Sequence, residues 1–289
     1  AALLLLTCMG SLSTAVINLS KAVKPGDPEG PFFFLKLFTL SDGSMPPFHV
    51  FIAFLGPLIG ISLGFDAINS EQNGRTLSRV MAQPIHRDYL LNAKFAGALI
   101  LISVLFFCLS FLVMGLGLII IGIPPTFDEF LRIIFFTLLN IFYVAFWLNL
   151  SIFFSVRFRQ AATSALTSIA VWLFFTVFYQ IIISLLGKML ISPDASPSGQ
   201  FGSQELVRIL TSFSPSRLFS DAGTTLLLPS VRSLGPLTLE KLVGTIPGPL
   251  PAGQSLLLVW PQLTGLIAAT VLCFALSYYS FMKKEIRSR

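Results

Sequence analysis

Charge is what this sequence has least of. Only 11% of its 289 residues are Asp, Glu, Lys or Arg, against about 25% in an average soluble domain, while 54% are hydrophobic and the mean hydropathy is +0.83. A soluble core cannot absorb that much apolar surface. Histidine is scarce too: His49 and His86 stand apart, and no His and carboxylate cluster or metal-ligand spacing occurs. Serine is plentiful, but a hydroxyl without a neighbouring base is no nucleophile, and acid–base catalysis needs positioned titrating groups. The chain is therefore not read as an enzyme. Its cysteines, Cys8, Cys108 and Cys273, all lie in apolar runs, where a thiol behaves as a small hydrophobe. Their spacing fits neither a disulfide framework nor a metal site. The Gly187-Lys188 pair is followed by Met189, so no phosphate-cradling loop ending in Gly-Lys-Ser or Gly-Lys-Thr is present. No cofactor is expected on this chain, and if ATP drives it, another polypeptide binds the nucleotide.

Long uncharged runs are what the sequence does have. A helix needs about 20 apolar residues to cross the hydrocarbon layer. Six runs are long enough: Ala1–Ser20, Phe48–Phe65, Phe95–Thr126, Ile133–Val156, Ala161–Gly187 and Leu242–Met282. The expectation is an all-α integral membrane fold, one transmembrane domain over 1–289 with six spans at about 1–20, 47–66, 95–123, 133–156, 161–187 and 256–282. The chain opens inside an apolar run with no initiator Met and no basic flank, so residues are expected before Ala1. A cleaved signal peptide is the rival reading of that first run, since Thr7–Thr14 is rich in small residues.

The net charge of +6 is spread between the apolar runs rather than gathered on a nucleic-acid-binding patch. With six helices threaded in order, one side collects Arg75, Arg79, Arg87, Lys94, Arg157, Arg159, Lys283, Lys284, Arg287 and Arg289 against Asp66, Glu71, Asp88 and Glu285. On the other side, basic and acidic residues balance. The positive-inside rule then puts both termini in the cytoplasm of a multi-pass plasma-membrane protein. The outer side carries the long Pro-, Gly- and Ser-rich segments, 21–47 and 188–254. In the first, Pro31–Leu40 reads PFFFLKLFTL, which suggests a piece lying at the membrane surface. In the second, Leu206, Ile209, Leu210 and Phe213 form a helical stripe, and a short outer helix is expected there.

The cytoplasmic joint at 67–92 is the most informative stretch. Leu77, Val80 and Met81 give a short helix one apolar face, Arg75 and Arg79 mark its polar side, and Pro84 closes it. By periodicity this is either an ordinary interfacial helix or one that seats in a partner's groove. The order Phe65-Asp66-Ala67-Ile68, Glu71, Thr76-Leu77, Val80-Met81, Gln83-Pro84-Ile85, a basic Arg87 and then Lys94 opening the next span resembles the ABC-2 type permeases over Gly64–Ala98. One departure is local: Gly74 is separated from Thr76-Leu77 by Arg75, where the family has Gly directly before that pair. The resemblance implies that this loop is the coupling helix of a permease subunit, probing a separate ABC ATPase with Glu71, Arg75, Thr76, Leu77, Arg79, Val80, Met81, Gln83 and Pro84. It further implies two ATPase copies holding ATP and Mg, a second copy of this permease or a related one, and export of a substrate the sequence does not specify. A non-transporting membrane scaffold and an ion-coupled carrier are the alternatives. The long 188–254 segment motivates the first, and the lack of carboxylates at helix centres weakens the second.

Three glycines, Gly56, Gly60 and Gly64, recur on one face of the second span and predict a close helix crossing. Asn140, Asn149 and Gln180 are costly to expose to lipid, so they face either a polar path or an interhelical hydrogen bond. Trp260, Tyr278 and Tyr279 suit interfacial anchors of the last span.

Overall fold

The computed structural model describes residues 10, 13, 32–39, 46–74, 76, 87–122, 124–190, 206–229 and 250–283. Apart from Gly10 and Ser13, the first predicted span falls outside them. Among the described residues every regular element is helical. In chain order they are α1 (Phe33–Thr39), α2 (Phe48–Gly64), α3 (Asn69–Asn73), α4 (Arg87–Ile121), α5 (Phe127–Arg157), α6 (Ala161–Leu173), a π-helical turn (Phe174–Phe178), α7 (Tyr179–Leu190), α8 (206–211), α9 (Pro215–Leu227) and α10 (Ala252–Met282). Among the described residues, five stretches are long and apolar enough to cross a membrane: Phe48–Asn73, Asp88–Ile119, Phe127–Arg157, Ala161–Met189 and Ala252–Met282.

The chain divides into two compact units, Ala1–Gly56 with Ser103–Ile141 and Phe219–Thr264, and Pro57–Ile102 with Phe142–Leu218 and Gly265–Arg289. In the first, α1 is apolar on nearly every side, and such a helix buries itself in protein rather than resting on a surface. Phe34, Leu35, Leu37 and Phe38 are all at most 1% exposed. Within Pro31–Leu40, the segment expected at the membrane surface, the apolar side chains of residues 34, 35, 37 and 38 are thus covered by protein. Phe38 meets Phe48 edge-on at 5.0 Å and Phe136 at 6.2 Å, and Phe136 meets Phe219 at 6.3 Å. This line of rings joins α1, α2, α5 and α9. His49 donates from Nδ1 to Phe38 O over 3.1 Å, so a polar side chain at the head of α2 also serves α1. A hydroxyl pair, Ser110 and Thr137 at 2.7 Å, fastens α4 to α5.

In the second unit, α2 packs on α5 at the glycine face. A Cβ at Gly60 would lie 2.7 Å from Val144 O, and one at Gly64 would lie 2.8 Å from Leu148 O and 2.9 Å from Ser151 Cβ. Only hydrogen fits at either place. The approach lets Ser151 Oγ donate to Ile61 O at 3.1 Å, a contact no larger residue at these positions would permit. Helix α5 is the most enclosed span, with 72% of its most apolar window buried against 11% for Ala161–Met189.

Candidate functional site

The loop region singled out in the sequence begins with α3, whose own sequence, NSEQN, is polar and supplies no side-chain cap. Its start is fixed from outside. The backbone N–H groups of Ile68 and Asn69 both donate to Ser155 Oγ of α5, at 3.0 and 3.2 Å. A helix leaves its first N–H groups without internal partners, and here a residue 86 positions away satisfies two of them. Glu71, in the first turn, pairs with Lys94 Nζ of α4 at 2.6 Å, and its other oxygen is buried with no hydrogen-bond partner among the described residues. Gly74 N donates to Ser70 O at 2.8 Å, and Thr76 Oγ1 donates to Glu71 O at 3.2 Å. Thus α3 is tied to α5 by its N-terminus and to α4 by its carboxylate. Of the residues assigned to the ATPase contact, Glu71 and Thr76 are described. Arg75, Leu77, Arg79, Val80, Met81, Gln83 and Pro84 lie outside the described residues.

The amides of the spans are placed differently from one another. Asn140 of α5, in the first unit, is fully buried, and neither of its side-chain polar atoms finds a partner among the described residues. Asn149, in the second unit, donates from Nδ2 to Thr270 O at 3.3 Å, while Ser277 Oγ donates to Asn149 O at 3.4 Å. Both bonds run from α5 to α10. On the α6 side, Ser168 Oγ lies 3.3 Å from Ser151 Oγ, so within the second unit α5 is linked to α2, α3, α6 and α10 by neutral hydrogen bonds.

Gln180 lines an open groove of 510 Å³ with Ile183, Ser184, Gly187 and Lys188 of α7, Val207 and Thr211 of α8, and Arg217 of α9. The π-helical turn just before α7 helps build it. In such a turn the amide of residue i+5 serves carbonyl i, as Tyr179 N does for Phe174 O. Phe175 O accepts from Ser214 Oγ at 3.3 Å, Thr176 Oγ1 lies 3.2 Å from Ser216 Oγ, and Tyr179 donates its hydroxyl to Leu210 O at 2.6 Å. The widened turn and Tyr179 just after it therefore carry three polar attachments for the segment 210–216. The short helix expected around Leu206–Phe213 is α8, residues 206–211.

A second cluster was not legible as a site. Arg132, in the second turn of α5, is fully buried. Its Nε donates to Asp128 Oδ2 at 2.8 Å, and its Nη1 to Leu226 O at 3.0 Å and Ser255 Oγ at 3.1 Å. Its Nη2 donates to Leu250 O. Asp128 Oδ1 accepts from Ala252 N at 2.8 Å. Glu129 Oε1 accepts from Phe34 N at 2.9 Å, while its Oε2 takes the N–H and hydroxyl of Thr126 at 2.8 and 3.0 Å. Three charged residues in the first two turns of α5 thus hold α1, the end of α9 and the start of α10 to its head. The signal was available: Thr126-x-x-Glu129 before an apolar run is a capping box, with Glu129 N returning to Thr126 Oγ1 at 3.3 Å. As one charge on the side where basic and acidic residues balance, Arg132 carries no sign of these partners in the sequence.

No curated protein matches this chain. The chain does match the family described as ABC-2 family transporter protein, over residues 3–286. It belongs to that family and is a multi-pass membrane protein of the transport-permease type.

Proposed function

We propose that this chain is the permease subunit of an ATP-driven exporter of the plasma membrane, six-spanning with both termini cytoplasmic, working as two copies beside two copies of a separate ATPase that binds ATP and Mg. The loop 67–92 is its coupling element: closure of the ATPase pair displaces the segment Glu71–Gln83, and α4 and α5 follow because α3 is fastened to both. The observation that carries the reading is that fastening, Ser155 holding the α3 N-terminus and Lys94 holding Glu71. A loop helix with no mechanical task needs neither. Family membership supports a transport role, and the missing phosphate-binding loop is why the nucleotide is assigned to a partner. A change of this kind is a rigid-body shift driven by contacts that differ between two states.

The test is co-purification of the full chain with the ATPase, followed by transport and ATP hydrolysis in vesicles. Glu71→Gln and Arg75→Gln are expected to uncouple hydrolysis from substrate while leaving the fold intact. Isolation of an active complex that contains no ATPase, or unchanged transport after both replacements, overturns the proposal.

A further inference from the structure

We propose that α8 and α9 form a re-entrant hairpin, and that the groove it makes with α7 is a water-filled passage reaching the middle of the membrane. The register along α7 sets the depth. Near the end of α7, a Cβ on Gly187 would meet Val207 at an ordinary contact distance of 3.6 Å. Further down, Leu210 O takes the Tyr179 hydroxyl and Ser214 Oγ reaches Phe175 O. The chain from 207 to 214 therefore descends along a span, Ala161–Met189, that is centred on Phe175, and about 18 Å of helix separates Gly187 from Phe175. Ser216 Oγ then lies 3.3 Å from the hydroxyl of Tyr143, itself near the centre of α5. Beyond it α9 leads away from that level, with Leu226 O meeting Arg132 in the second turn of α5. Two membrane-length helices thus place the turn Ser212–Ser214 near the middle of a hydrocarbon layer about 30 Å thick.

Three features at or above that depth call for water. The turn is not helical, and both Ser212 and Phe213 are exposed. Irregular backbone at membrane depth occurs only where protein buries it or water bathes it. Gln180, Ser184 and Lys188 recur every fourth residue on the groove face of α7, while the exposed Ile181, Ile182, Leu185, Leu186 and Met189 occupy the rest of that helix. A hydroxyl can hide in lipid by bonding to its own helix, as Ser184 does to Ile181 O at 2.8 Å. The amide of Gln180, with two donors and an acceptor, has no such retreat. Arg217, in the first turn of α9, is exposed on the same lining. It has an interaction of its own within the protein, yet a cation exposed at this depth faces water rather than lipid. A polar stripe that served only to seat α8 would be closed over. This groove is open and holds 510 Å³, against about 30 Å³ for one water in the liquid. The passage is the outer half of the route that the transport reading requires, and it rests on that reading only for which face is outer.

The test needs no ATPase. Gln180→Cys, Ser184→Cys, Lys188→Cys and Ser212→Cys are made one at a time in the full chain with Cys8, Cys108 and Cys273 changed to Ala, beside Ile182→Cys and Leu185→Cys on the apolar face. Cells and inverted vesicles carrying each variant are treated with a membrane-impermeant methanethiosulfonate. Only the thiolate reacts, and away from water a thiol stays protonated. From outside, Gln180→Cys, Ser184→Cys and Ser212→Cys are expected to react within about tenfold of the rate of Lys188→Cys, and the two apolar-face variants at least about 100-fold more slowly. Unchanged thermal midpoints show that each variant is folded. Modification of the groove positions from the inner side alone supports the passage and overturns the proposed topology. Rates for Gln180→Cys and Ser212→Cys as low as for Leu185→Cys, or equal rates on the two faces of α7, overturn the passage.

Discussion

Helix α5 carries two buried polar regions that solve the same problem in opposite ways. At Asp128–Arg132, in the first unit, the groups are charged and densely partnered. Arg132 alone makes four hydrogen bonds. At Asn149–Ser155, in the second unit, they are neutral, their bonds between side chains and neighbouring helices run from 3.0 to 3.4 Å, and Asn149 Oδ1 has no partner among the described residues. A buried ion network resists rearrangement, because removing one partner strands a charge at about 3–5 kcal/mol. Neutral interhelical bonds in membranes average only about 0.6 kcal/mol. The first region holds segments distant in sequence in one arrangement. The second is held by bonds that are each cheap to exchange, which suits the displacement proposed for α3, α4 and α5.

The strongest way to break this contrast is Arg132→Met. It leaves Leu226 O and Leu250 O without their donor and Asp128 Oδ2 without its cation, while Asp128 Oδ1 keeps the N–H of Ala252, and is expected to destabilise the protein by about 3 kcal/mol, read as the loss of a monodisperse species or a large drop in thermal midpoint. Arg132→Lys should recover part of this, since a point charge cannot reproduce the fork. A stability change for Arg132→Met as small as that for Asn149→Leu erases the distinction. Next in size is Gly64→Val at the α2–α5 crossing. Overpacking against Leu148 O and Ser151 should cost about 1–3 kcal/mol, measured by the same unfolding assay. Asn149→Leu is expected to cost about 1 kcal/mol or less, while Asn140→Leu should be neutral or stabilising, because it removes two buried groups that lack partners. The smallest stability effect is expected for Glu71→Lys combined with Lys94→Glu. The pair is half exposed, so the swap should change stability by under about 1 kcal/mol. If Glu71 serves only Lys94, the swap restores coupled ATP hydrolysis. If it also meets the ATPase, hydrolysis stays uncoupled.

The last five apolar runs each share an end, to within a few residues, with a long helix of the described residues, and the four-residue spacing of Gly60 and Gly64 made their close approach readable as well. What runs of uncharged residues cannot show is a helix that continues into charge. Helix α5 begins at Phe127 because Thr126 and Glu129 cap it, and α4 begins at Arg87, ahead of the uncharged run. Arg132 looks like a loop residue in one dimension because its partners, Leu226, Leu250 and Ser255, come from about a hundred residues later in the chain. Helix α9 went unread inside a segment taken for turns, although Ser214 before Pro215 is the helix-start pattern of a cap followed by proline at the first position. The Ser155 anchor of α3 has no local signature at all. A lone serine near a helix end becomes an acceptor only once the fold brings two amides to it.

The π-helical turn at Phe174–Phe178 also bears on how this chain tolerates insertion and deletion. Each residue of an α-helix advances the helix by about 100°, so one inserted residue would turn everything after it unless a wider i→i+5 turn takes it up. The turn at Phe174–Phe178 does so, and Gln180, Ile183, Ser184, Gly187 and Lys188 keep a common facing beyond it. A one-residue deletion inside the turn is therefore expected to restore continuous α-helix with that face of α7 still in place, which makes Phe174–Phe178 the stretch of this span most tolerant of a change in length.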